Sequence, residues 1–174
     1  MLTKVLHDAL CSQLPTAVIN NRALSKPPKK VSNDIVRVDR SKPVVYPSGY
    51  NPLYTNLLDG PSEFSLNSLE QWLHKDQETR VVTGNFLHQY LRDNEMLGNC
   101  LGFIELLEIQ KLGAVTFRKH FPSRAVFGWR SVVRYRDGHL CVPHLTEACG
   151  EVYLHWNWLG NDWDVRGLAL RFGK

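Results

Sequence analysis

Between Arg130 and His155 the chain collects three guanidinium groups, on Arg130, Arg134 and Arg136, and three polar rings, on His139, Tyr153 and His155. Guanidinium groups pair with phosphates or carboxylates through forked donors, and such rings stack on bases or anchor in a partner's pockets. The set therefore suits recognition of a protein surface or of single-stranded nucleic acid. A solvent-facing sheet carries similar residues, so composition alone does not separate a site from a surface.

Catalytic chemistry has thinner support. A hydrolase needs a nucleophile beside a base, and the best pair is Ser131 with His144; no G-x-S-x-G, H-E-x-x-H or P-loop pattern is present. The ordinary reading of that pair is a hydrogen-bonded contact inside a sheet. His139, Cys141, His144 and Cys149 are the nearest approach to a zinc ligand set, but strand alternation points His144 away from His139 and Cys141. No metal and no cofactor is expected. Glu147 with Glu151, and Asp162 with Asp164 around Trp163, read as solvated charges at turns.

The elements that must position these residues are written most clearly from Ala125 to Trp158. Asp137-Gly138 between two β-prone runs is the signature of a two-residue hairpin loop, which pairs Arg136 with His139 and Val133 with Val142. A second loop of three residues, Ala148-Cys149-Gly150, keeps the apolar side chains together by pairing Thr146 with Val152 and Val142 with Trp156. Phe127, Trp129, Val133, Val142, Leu154 and Trp156 then share a core face. Arg130, Arg134, Arg136, His139, Tyr153 and His155 share the outer face.

The helical signals lie upstream. Ser65 caps a predicted helix over residues 66–74, Thr83 caps another that ends near Asn94, and a long helix is expected from Leu101 to Phe121. In the last, Phe103, Leu107, Phe117 and Phe121 should lie on Trp129, Val133, Val142 and Leu154, while Ile104, Leu112 and Val115 need another cover. Ile35 to Arg40 supplies one short extended segment, and Leu168, Leu170 and Phe172 point inward from a short final strand. Helices followed by strands give an α+β class, with about three helices on one face of a three- or four-stranded antiparallel meander.

Composition bounds the remainder. The chain has 174 residues, 43% of them hydrophobic, and a formal charge of +4. Residues 1–60 hold 8 Lys/Arg against 4 Asp/Glu, whereas residues 61–174 hold 13 of each, so the positive charge lies in the N-terminal third. Leu2 to Leu14 has helical spacing closed by Pro15, followed by a Pro/Lys-rich stretch, so residues 1–33 read as an extension and residues 34–174 as one domain with its core in 62–174. No stretch approaches the roughly 20 apolar residues of a membrane span, and four cysteines without a C-x-x-C pair suit a reducing, cytoplasmic setting.

The strings VDRS-x-x-x-VYP from Val38, WLH from Trp72, VVTGN from Val81, CLG from Cys100, FRKHF from Phe117, AVFGWRSVVRYRDG from Ala125 and ALRF from Ala169 together resemble a family of short bacterial proteins. The resemblance covers about residues 35–174 and implies no activity, and it puts the first 33 or so residues outside the shared domain. The expected function is a small non-catalytic binding module that engages a protein partner through the outer sheet face. Single-stranded nucleic acid held by that face and the basic arm is the alternative, and a small hydrolase the third.

Overall fold

The chain divides into two units, Met1–Val31 and Ser32–Lys174. A computed structural model describes residues 34–54 and 60–173, all in the second unit. The expected extension and its helix lie outside the described residues.

The architecture is α+β, but the expected single-faced meander is replaced by a seven-stranded mixed sheet with both faces covered. Its strands are β2 (Tyr50–Pro52), β4 (Leu69–Trp72), β6 (Ala125–Phe127), β7 (Val133–Tyr135), β8 (Leu140–Ala148), β9 (Glu151–Trp158) and β11 (Gly167–Phe172). Two ribbons flank the sheet: β1 (Ile35–Arg37) with β3 (Glu63–Ser65), and β5 (Val82–Thr83) with β10 (Asp162–Trp163). Three α-helices are formed by the described residues: α1 (Gly84–Asp93), α2 (Phe103–Lys111) and α3 (Gly113–His120).

β8 is the axis. Along one side it pairs with β9 over its whole length. Along the other it pairs first with β7, through Cys141 with Val133, and then with β6, through His144 with Phe127. The sheet forks between those contacts, where the chain leaves the ladder in a 3-10 turn over Trp129–Ser131. Pro143 sits at the fork, which suits a residue with no N–H to offer the ladder, and its carbonyl accepts from Gly128 N at 2.9 Å. Beyond β6 lie β11, in parallel, and then β4, while β2 extends the β7 branch.

Both hairpin registers differ from expectation by one residue, in opposite senses. Tyr135 N donates to His139 O at 2.8 Å, so the first loop is Arg136-Asp137-Gly138, with Gly138 at φ +92. The second is the two-residue loop Cys149-Gly150, with φ of 51 and 82 as a type I′ turn requires, and Ala148 pairs with Glu151. The two slips turn β8 over relative to its neighbours. Leu140 and Val142 therefore enter one core, and Leu145 joins Val152 and Leu154 in the other.

Those two cores, one per face, explain the fold. Leu106, Ile109, Phe117 and Phe121 of α2 and α3 cover Val126, Leu145, Leu170 and Val152, with Val36 and Phe64 of the β1–β3 ribbon closing the margin. On the opposite face Leu87 and Leu91 of α1, with Val82 and Trp163 of the β5–β10 ribbon, cover Phe127, Trp129, Val142 and Ala169. Trp129 and Val142 thus lie on the far side of the sheet from Phe117, contrary to the expected packing. Phe103 instead meets Tyr46 and Trp156, at ring-centroid distances of 5.2 and 5.3 Å.

Two helices also depart from expectation. The long one breaks where Gly113 adopts φ +80, a left-handed residue that ends the α2 hydrogen-bond pattern. After the break Val115 is 84% exposed and needs no cover, while Ile104 and Leu112 pack on the first core. Over residues 66–74, Ser65 caps only one 3-10 turn, and Leu69–Trp72 is drawn into β4 by pairing with β11. The helix α1 stands as read, with Thr83 Oγ1 accepting from Phe86 N and Asn94 as its C-cap.

Candidate functional site

The six residues singled out in the sequence do not form one face. Arg130 lies in the 3-10 turn, 6% exposed, and its Nη2 donates to Glu105 Oε1. Glu105 is fully buried; the same oxygen accepts from Arg40 Nη2 at 2.7 Å, and its Oε2 accepts from Gly102 N at 2.8 Å. This ion cluster fixes the start of α2, and Ser131 Oγ assists by accepting from Phe103 N at 2.8 Å. The proposed nucleophile is therefore occupied as a cap. His144 pairs with His155 and stacks on Phe127, and no hydrogen bond joins it to Ser131.

Arg134 and Arg136 sit at the first hairpin. Arg134 Nη1 donates to Gly138 O at 2.9 Å, and the Arg136 guanidinium lies 5.4 Å from the centre of the Tyr135 ring. His139 stands on the other face from Arg134, with Nδ1 3.0 Å from Asp137 Oδ2 and its ring against Trp158. Tyr153 and His155 share the face of Arg134, but near the opposite end of β9, where they stack at 6.0 Å. Glu147 is paired with Arg118 at 2.6 Å, and Glu151 faces Ala148 rather than Glu147.

Tyr153 and His155 begin a series of rings that crosses the sheet. His155 lies 5.7 Å from His144, His144 stacks on Phe127 at 4.8 Å and 18°, and Phe127 lies 5.3 Å from Trp163. Beside this series a groove of about 790 Å³ opens where β6 and β11 begin and β8 ends. Phe127, His144, Thr146, Asn157 and Trp163 line it, and Arg118, Arg124, Arg166, Asp162 and Asp164 contribute to its walls.

The groove is built on Trp163, expected from the sequence beside a turn and found in β10. Its indole lies between two glycines. A Cβ on Gly84 would come within 2.3 Å of the ring, and one on Gly167 within 2.5 Å of Cδ1. The wall behind it is pinned by Gln77, 2% exposed, whose Nε2 donates to Asp164 O and Gly167 O. Gly84 after a strand and Gly167 after a loop were the available signals, because closely approached backbone demands glycine.

Two buried polar atoms of the groove lack hydrogen-bond partners, Trp163 Nε1 and His144 Nδ1. Burial, and then the neighbouring His155, pushes the His144 imidazole down to about 4, so it is neutral near pH 7. Arg118 is held by Glu147 and Arg166 by Asp164, whereas Arg124 donates to the Val165 carbonyl and has no carboxylate partner among the described residues. No group of three or more His, Cys, Asp or Glu among the described residues is arranged to hold a metal ion. No helix there is long and apolar enough to cross a membrane.

The second surface feature is the outer edge of β9. Leu159 N donates to Leu140 O, so Asn157, His155 and Tyr153 turn their backbone groups toward β8, and Trp158, Trp156, Leu154 and Val152 turn theirs outward. Gln110 Nε2 takes the Val152 carbonyl and Asn161 N the Trp158 carbonyl. The N–H and C=O groups of Leu154 and Trp156 have no partner among the described residues.

No family model, no curated protein and no solved structure matches this chain.

Proposed function

We propose that the domain is a non-catalytic binding module that takes an extended segment of a protein partner along the outer edge of β9. One observation carries this reading: an edge strand whose backbone at Leu154 and Trp156 has no partner among the described residues, with no Lys, Pro or bulge from Val152 to Trp158. Edge strands are ordinarily protected by Lys, Pro, bulges or inward charges. From Val152 to Trp158 the sequence VYLHWNW has none of these side chains. An added strand would gain main-chain hydrogen bonds at Leu154 and Trp156 and be read by alternate side chains, with Tyr153 and His155 on one face and Trp158 on the other. Tyr153 and Trp158 are 42% and 46% exposed, one on each face of the strand, so each face keeps an exposed ring beside the edge.

The test is selection of extended peptides from a random display library, followed by amide hydrogen exchange on the complex. Protection appearing at Leu154 and Trp156, and capture lost in Tyr153→Lys/Trp158→Lys, are the expected results. Protection elsewhere would count against the edge.

A second reading, single-stranded nucleic acid, draws on Arg134 and Arg136, which have no carboxylate partner among the described residues. Binding of that kind should weaken steeply with salt and fall in Arg134→Ala/Arg136→Ala while Tyr153→Lys/Trp158→Lys leaves it intact. A gel shift at two salt concentrations separates the two.

A further inference from the structure

The groove beside Trp163 is independent of the strand edge and has the features of a small-molecule site. Its volume of about 790 Å³ falls within the range of ligand pockets, which are concave, largely apolar and furnished with a few fixed polar groups. The apolar part is aromatic: the Phe127 ring, the His144 ring stacked upon it at 18°, and the Trp163 indole tilted 59° to Phe127. The polar part is rich in donors. Asn157 Oδ1 is already taken by Asn161 Nδ2 at 2.6 Å, which leaves its amide N–H groups to donate.

The unpartnered donor decides what the ligand must carry. Trp163 is 3% exposed, and a buried N–H without an acceptor is costly, so a bound molecule that supplies one recovers that cost. Charge narrows the choice further. Arg118 and Arg166 are neutralised by Glu147 and Asp164, so among the described residues Arg124 is the cation in the groove wall without a carboxylate partner, and a guanidinium favours the two-oxygen geometry of a carboxylate. Asp162, also in the wall, is exposed, and solvent screens its repulsion.

We propose that the groove binds a small aromatic carboxylate, a benzoate-like monoanion whose ring packs by its edge or face against the aromatic wall of Phe127, His144 and Trp163 and whose carboxylate accepts from the Trp163 indole N–H and the Arg124 guanidinium. His144, neutral in its buried position, completes the site through Nδ1. The rigid seating of Trp163 between Gly84 and Gly167 means that the donor is fixed before the ligand arrives, which lowers the ordering cost of binding.

The test is a titration of the full chain with sodium benzoate, followed by the indole N–H resonance of Trp163. The chain has five tryptophans, and Trp163→Phe identifies the resonance by its loss. Benzoate should move that resonance with a Kd in the millimolar range or tighter. Arg124→Gln should weaken the Kd about tenfold, whereas Arg134→Gln, at the first hairpin, should leave it unchanged. Benzylamine should not compete. An unmoved Trp163 resonance at saturating benzoate would overturn the proposal, as would an equal Kd in Arg124→Gln, or equal displacement by inorganic phosphate. Should Trp163→Phe fail to fold, Arg124→Gln carries the same decision with the resonance assigned by standard backbone methods.

Discussion

The Tyr54 hydroxyl lies 2.6 Å from Nε2 of His88, a ring that burial holds neutral. Burial first, and Arg92 second, pushes the His88 imidazole from its ordinary 6.5 down to about 4. Between those values the unfolded chain binds a proton that the folded chain refuses, so stability is full above about 6.5 and is lost as the pH falls toward 4. His144 adds a second contribution of the same sign over the same window. The urea midpoint should therefore be lower at pH 5 than at pH 7, and His88→Gln should flatten the difference. A midpoint that does not change between the two pH values would remove this account.

The Glu105 carboxylate binds Arg130, Arg40 and the Gly102 amide from a fully buried position. Removing one partner from a buried ion pair costs about 3 to 5 kcal/mol, because the other charge stays in the interior. Glu105→Ala should destabilise by that amount in chemical denaturation. Glu105→Gln keeps the shape and an acceptor, and should cost less.

Trp163 gives a test of close packing. Gly84→Ala places a methyl group against the indole and within 3.0 Å of the Leu159 Cα, so neither neighbour can give way cheaply. A loss of about 1 to 3 kcal/mol is expected for such overpacking, together with a shift in tryptophan emission. An unchanged melting temperature and spectrum would mean that the glycine is not needed for space.

Phe117 and Val115 lie two residues apart on α3 with opposite surroundings, 1% and 84% exposed. Phe117→Ala should cost about 3 to 5 kcal/mol by leaving a cavity between α3 and the sheet. Val115→Ala should stay within about 0.5 kcal/mol. Equal effects from the two would refute the rotation of α3 that follows Gly113.

Much of the chain was legible at the level of elements. Thr83 and Asn94 mark the ends of α1, Ile35–Arg37 is extended, and Leu168 and Leu170 are buried in the final strand, where Leu170 and Phe172 join the core under α2 and α3. The pairing of that strand was not legible, and neither was the register of the hairpins. Asp137-Gly138 signals a two-residue loop, but the first turn takes in Arg136 as a third residue. For the second hairpin the guide is that apolar residues share a face, a criterion that fails when both faces are buried. Leu140 and Val142 were wanted by one core, Leu145 and Leu154 by the other, and alternation within β8 serves both. Strand alternation likewise places Arg130 on a solvent face, but the 3-10 turn over Trp129–Ser131 interrupts the strand and Arg130 is buried. Trp163 was unreadable because β5 and β10 are two-residue strands, too short to show a period.

The position of β11 governs the order in which the molecule can be made. It is the last strand of the described chain, yet it lies inside the sheet, parallel to β6 on one side and antiparallel to β4 on the other. During synthesis β6, β7, β8 and β9 can assemble as they emerge, since their pairings are close in sequence, but β4 has no sheet neighbour until residues 167–172 leave the ribosome. Leu69–Trp72 must wait for about a hundred residues with its ladder groups open. A nascent chain stalled before Gly167 would hold both halves of the β11 slot empty, so the emergence of residues 167–172 is what joins β4 to the rest of the sheet.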